Sequence, residues 1–194
     1  SISGGMSTKT RLKILNSAIE VYAKKGLQNT TVRDIAQNAG IALGLLNYHF
    51  PESKNLFKVV IQHIYAIAIP QINQHPNQIP KTTIETGDRL VMIFRNNMHF
   101  FLKQNRSYYA CILQAYSAAT YSRSIKALNR KIYKQSIERL KTICRQNSFK
   151  LPPELYWHFL EGSLVFGFQI EISKLDDWIK AREQSLKTMY QSSI

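Results

Sequence analysis

At 194 residues, 44% hydrophobic and 20% charged, the chain has enough apolar material for one large or two modest folded domains, and too much for a disordered one. Its 26 lysines and arginines against 12 aspartates and glutamates give +14, a field that favours polyanions: nucleic acid, an anionic membrane surface or an acidic ligand. No apolar run approaches the roughly 18 residues of a membrane span, and Cys111 and Cys144 are too few and too isolated for a disulfide framework or a zinc site.

In chain order, Ser1 to Gly5 ahead of Met6 read as a remnant of an expression tag, and SISGGMSTK lacks the apolar core of a signal peptide. Leu12, Leu15, Ile19 and Tyr22, spaced 3, 4 and 3, predict one face of a helix over 8–25, stopped by Gly26. Thr31 followed by Asp34 predicts a capped helix start, although Glu or Gln is the usual partner at that third position. Val32, Ile35, Ala36 and Ala39 line its inner face, and Gly40 ends it within three turns. The small Ala36 and Ala39 let a second axis approach closely. That second helix is expected from Ala42 or Leu43 to His49, with Leu46 inward and Phe50 as its anchor. Two short helices joined by a glycine turn make a helix-turn-helix, whose second member enters the DNA major groove. Leu43, Gly44, Leu45, Asn47 and Tyr48 are then the outward surface, while Tyr48 and His49 can reach phosphates. Thr31 and Arg33 open the first of the two helices and can position it on the backbone. Lys9, Arg11 and Lys13 can do the same from the preceding helix, or form an ordinary solvated face.

Two prolines in QINQHPNQIPKTT predict a linker, taken as 71–85. It separates a unit over 6–55, with a connecting helix to about 70, from a larger body over 86–194. Helical spacing is expected at 86–103, 107–119, 121–147, 153–173 and 176–191, with no alternating strand pattern of useful length. Residues 123–150 carry nine bases against Glu138 alone, with Tyr133, Ile137, Leu140 and Cys144 as the buried stripe. The expected fold class is all-α.

These residues together resemble the DNA-binding end of the tetracycline-repressor (TetR) family: ILNSAIEVYAKKG (14–26), TTVRDIAQNAGI (30–41), NYHF (47–50) and Leu56. The resemblance covers about 45 residues and beyond them extends only to length and helical layout. Departures fall on the recognition helix. Ala42 stands where the family commonly has a capping Ser, Leu43 where it has a Lys or another polar residue, and Leu45 and Asn47 at frequent Thr and Tyr positions. The lysine after the aromatic end is one place later, at Lys54. A reader with Leu43 and Leu45 favours thymine methyls, and Asn47 can pair with adenine, so A/T-rich half-sites are expected. The alternative is that both leucines pack against the first helix.

The resemblance implies a cytoplasmic homodimer that binds a palindromic operator on double-stranded DNA, with a ligand-binding and dimerisation domain beyond about residue 85. A dimer face is expected from Phe159, Gly162, Ser163, Phe166, Gly167, Ile170, Trp178, Ile179 and Leu186. A pocket for a small apolar or anionic-apolar effector is expected from Met92, Phe100, Phe101, Tyr109, Gln114, Trp157 and Phe166, residues that could equally be core. The open alternative is a regulator with no small-molecule pocket, controlled by a protein partner or by abundance. No cofactor, metal site or membrane partner is expected. The five histidines lack metal-ligand spacing, and no phosphate loop or nucleophile elbow marks an enzyme.

Overall fold

The computed structural model describes residues 2–73, 86–146 and 151–191. Its helices are α1 (Ile2–Lys25), α2 (Val32–Asn38), α3 (Leu43–His49), α4 (Leu56–Ile72), α5 (Thr86–Met98), α6 (Arg106–Ala118), α7 (Arg123–Gln146), α8 (Pro153–Gly167) and α9 (Leu175–Gln191). Among the described residues there is no strand, so the all-α expectation holds. No described helix is long and apolar enough to cross a membrane.

The chain divides into two compact units: Ser1–Ile67 with Ser107–Leu128, and Ala68–Arg106 with Asn129–Ile194. Sequence order alone places 107–128 in the larger body. The difference has a physical cause in α6. Gln114 accepts from the Leu27 N–H at 2.6 Å and donates to the Tyr22 carbonyl at 2.9 Å, so one side chain serves both sides of the α1 terminus. The Cys111 thiol points at the Ile19 carbonyl, and Gln28 donates to the Tyr121 hydroxyl at 2.7 Å. Of the expected linker, Gln71 and Ile72 are still helical in α4; most of the remainder lies outside the described residues.

The first unit is closed by Ile14, Leu15, Ala18, Ile19 and Tyr22 of α1 against Ile35 and Ala36 of α2 with Ala39 capping its end, Leu46 of α3, and Leu56, Phe57, Val60 and Ile64 of α4. Tyr22 and Phe57 meet edge to face, with ring centroids 5.0 Å apart. Leu12, expected on this buried face, is exposed. The buried stripe is centred on Ile14, Ala18 and Tyr22 and leaves Leu12 at its margin. Ser17 donates to the Ile35 carbonyl at 3.1 Å and accepts from Asn38 at 2.8 Å, a polar clasp between α1 and α2.

In the second unit, Leu90, Phe94 and Met98 of α5 are buried with Tyr156, Leu160 and Leu164 of α8 and Leu175, Ile179 and Leu186 of α9. The Tyr156 hydroxyl donates to the Leu90 carbonyl at 3.0 Å. Glu183, buried on α9, takes a two-pronged contact from Arg95 at 2.7 and 2.6 Å. After Met98 the helix widens into a π turn over His99–Gln104, marked by the Asn105 N–H reaching back five residues to the Phe100 carbonyl at 2.9 Å. Phe100, Phe101 and Leu102 are all buried there, three in succession. α8 ends at Gly167, short of the expected 173. Arg106 holds the end in place, donating to the Phe168 carbonyl at 2.5 Å with its guanidinium 4.5 Å above the Phe168 ring.

Candidate nucleic-acid interface

Local rules account for the α2–α3 segment. Thr31 has extended backbone, and its hydroxyl accepts from the Asp34 N–H at 3.2 Å. The Asp34 carboxylate in turn accepts from the Thr31 N–H at 2.8 Å. Aspartate thus completes the reciprocal cap despite being one methylene shorter than glutamate. Lys25 also reaches Asp34 at 2.5 Å. This contact first, and then the Thr31 hydrogen bonds, lower the Asp34 carboxyl from 3.8 to about 2. A depressed carboxyl stabilises the fold above its unfolded value and loses that contribution as pH falls through the folded one. An NMR titration is expected to place Asp34 near 2, with the α2 cap lost between roughly pH 4 and 2; an ordinary carboxylate midpoint would contradict the reciprocal cap.

The turn closes through Ile41 N–H to the Ala36 carbonyl at 3.1 Å and Gly40 N–H to the Gln37 carbonyl at 3.0 Å. Gly40 takes φ 59°, a left-handed conformation that glycine adopts without steric cost. α3 then begins at Leu43, after Ala42, which offers no side-chain cap; a capping side chain here typically adds about 1 kcal/mol.

Leu46 is 0% exposed. Phe50 is also buried, with the Arg11 guanidinium 4.8 Å above its ring; Lys9, Arg11 and Lys13 are all exposed. On the other side of α3, Tyr48 is 77% and Leu45 41% exposed, with Gly44 and Asn47 also exposed. At about 100° per residue these four cover roughly 160° of circumference opposite Leu46. Leu43 and His49 are half-buried at the flanks. Thr31, Arg33 and Lys54 are exposed on the same unit. A Cβ added at Gly44 would meet nothing within 4 Å. A helical glycine costs roughly 1 kcal/mol relative to alanine, and no packing within the chain requires one at this position.

The residues expected to line a pocket are distributed over both units. Met92 and Trp157 are half-buried, and Phe100 and Phe101 are buried in the second unit. Tyr109 and Gln114 belong to the first unit, where Gln114 is held by α1. Phe166 is 66% exposed, so it faces outward and not into an interior.

The expected dimer residues also divide. Ile179 and Leu186 are core of their own unit, and Ser163 is buried, accepting from Arg182 at 3.3 Å. Gly167 is buried under Leu102 and Trp178 of the same chain. Phe159, Gly162, Phe166, Ile170 and Trp178 retain surface. Most of these line a groove of about 400 Å³ with Gln169 and Arg182. Arg182, whose guanidinium lies 4.4 Å above the Phe159 ring, is a residue that sequence reasoning does not find. Its position on α9, three residues before Ser185 and away from any motif, gives no signal.

Residues 14–60 match the family model for bacterial regulatory proteins of the tetR family. Over 52 residues the chain is 38% identical to the HTH-type transcriptional repressor KstR2 of Rhodococcus jostii, covering 27% of this chain and 26% of that protein. Over 60 residues it is 30% identical to the HTH-type regulator YttP of Bacillus subtilis, covering 31% and 29%. The chain therefore matches little more than a quarter of these relatives' length. Across the whole fold it is similar to a transcriptional regulator from Saccharomonospora viridis solved with choline, at TM-score 0.76 and 17% identity, covering 93% of this chain and 96% of that one. A Clostridium perfringens protein assigned as a fatty acid metabolism regulator matches at TM-score 0.67 and 23% identity, covering 90% and 96%. At such identities the likeness concerns the fold. Residues 14–60 therefore carry the N-terminal domain of the tetR family of bacterial regulatory proteins, on an all-helical fold shared with these solved regulators.

Proposed function

We propose that the chain is a sequence-specific DNA-binding repressor that grips a palindromic operator as a homodimer and releases it on binding a small, largely apolar effector. The observation that carries this reading is α3 itself, held by Leu46 and Phe50 while Gly44, Leu45, Asn47 and Tyr48 are turned outward. A glycine with open space above it suits a helix that must approach a groove floor closely. Leu45 is available to thymine methyls and Asn47 to adenine, which favours A/T-rich half-sites. Leu43, half-buried, is the weaker reader of the two leucines.

The dimer part of the proposal uses the α8–α9 groove around Gly162 and Phe166, since a two-fold site requires a two-fold protein. The choline held by the Saccharomonospora viridis protein is a small polar cation, whereas the fatty acid metabolism role assigned to the Clostridium perfringens protein supports a largely apolar effector. Such an effector must prefer the released state by about 1.4 kcal/mol to weaken operator binding tenfold. The engagement of Gln114 with α1 and the exposure of Phe166 favour the second reading, control by a protein partner or by abundance.

Selection from a random duplex pool tests the core of the proposal and is expected to return a two-fold A/T-rich consensus. Leu45→Ala should leave folding intact and relax preference at a thymine-bearing position by about 1–3 kcal/mol. An unchanged preference at every base pair would remove Leu45 as a reader. A pool that yields no consensus would remove the repressor itself.

A further inference from the structure

The helix-turn-helix leaves most of the chain's positive charge unused, and α7 concentrates it. From Arg123 to Gln146 it carries eight lysines and arginines and a single acid, Glu138. Within the second unit, Arg130, Lys134, Lys141 and Arg145 fall at 340°, 20°, 0° and 40° around the axis, counting about 100° per residue from Arg123. They form one band about 60° wide and about 22 Å long at about 1.5 Å per residue. Arg130, Lys134 and Arg145 are exposed, and Lys131 flanks them. Among the described residues only Lys141 of this row has a carboxylate within 4 Å, Glu138 at 3.0 Å.

We infer that this row is a second nucleic-acid contact, separate from α3, which takes the phosphate backbone of duplex DNA without regard to sequence. About 22 Å matches roughly six phosphates of one strand at about 3.4 Å each. The chemistry of the row narrows the occupant. A bilayer surface would want apolar side chains beside the bases, and a protein partner would want aromatic or aliphatic anchors. Between Arg130 and Arg145 the one exposed large hydrophobic residue among those described is Tyr133. Its ring packs edge-on against Trp157 at 6.1 Å. A polar, strongly positive, anchor-free strip is the character of a phosphate-binding surface. The choice of DNA among polyanions, and nothing else here, rests on the proposed function.

The test uses the full chain carrying Arg33→Ala and Tyr48→Ala, which weakens the α3 contacts, and a fluorescent 30-base-pair random duplex titrated from 50 to 200 mM KCl. Adding Arg130→Gln, Lys134→Gln and Arg145→Gln is expected to flatten the log affinity against log salt slope by about 2–3, at roughly 0.9 for each phosphate no longer neutralised. Arg130→Gln alone should flatten it by about 1. An equal removal of charge on α9 and the turn just before it, by Lys174→Gln, Lys180→Gln and Lys187→Gln, is expected to change the slope by less than 1. Equal flattening in both triple variants would mean a general field and overturn the contact. So would no change in the α7 variant, or loss of binding to phosphatidylserine vesicles with duplex binding retained. Operator selection, which decides the α3 reading, is not used in this comparison, so either can fail alone.

Discussion

Replacing Leu46 by alanine is expected to destabilise the first unit by about 2–5 kcal/mol and to abolish operator binding. Leu46 is 0% exposed and is the one fully buried side chain that α3 contributes. A helix of seven residues has almost no stability of its own, because nucleation fixes several residues for each hydrogen bond gained. Ala42 adds no cap to offset this. The position of the recognition helix therefore depends on tertiary packing, chiefly Leu46 and the adjoining Phe50. Urea unfolding followed by circular dichroism gives the loss in stability, and anisotropy on the selected duplex gives the loss in binding. Leu45→Ala is the paired control: one residue away, it should leave the unfolding midpoint within about 0.5 kcal/mol, as surface changes usually do. A loss below about 1 kcal/mol in Leu46→Ala would mean that Phe50 alone seats the helix.

The second large effect is expected at Gly167. A Cβ there would lie 2.6 Å from Leu102 Cδ1 and 2.7 Å from Trp178 Cζ3. Leu102 is fully buried, so relief requires both its side chain and the Trp178 indole to shift. Gly167→Ala is expected to cost about 1–3 kcal/mol by overpacking and to lower the melting temperature by several degrees, at about 2–4 °C per kcal/mol for a chain of this size. Gly162, five residues earlier, has open space above it. Gly162→Ala should be neutral or mildly stabilising in the separate chain, because alanine is the better helix former. Should the α8–α9 groove be the dimer face, that same change would weaken association, which sedimentation at low micromolar concentration would register. Equal melting temperatures for the two alanine variants would contradict the close packing at Gly167.

How much of this was legible depended on how local the physics is. The α2–α3 unit could be read closely, because its determinants lie within a few residues: Thr31 with Asp34, the left-handed Gly40, and the inward Leu46. Burial was less legible than helicity. Leu12 fits the apolar spacing of α1 but lies at the edge of its buried stripe. Side chains that act across long separations gave no warning. Gln114 holds a backbone group 87 residues away, and Arg106 fixes the end of α8 from 62 residues away. The expected pocket rested on residues such as Phe100, Phe101 and Tyr109, but aromatic residues at helical spacing look alike whether they line a cavity, fill a core or, like Phe166 further along, face outward.

The wide turn at His99–Gln104 bears on how this helix tolerates insertion and deletion. Three neighbouring side chains can face inward there because the coil accommodates an extra residue that an ordinary helix would have no room for. Excising one residue would close the turn to ordinary α pitch, so that Phe100, Phe101 and Leu102 could no longer all face inward. The grip of Lys103 on Asp176, at 2.7 Å, and of Arg106 on Phe168 starts from this same segment and would have to re-form from a shortened one. Length at this point is therefore more constrained than identity. A conservative exchange at Phe100 or Phe101 should be survivable where a one-codon deletion is not.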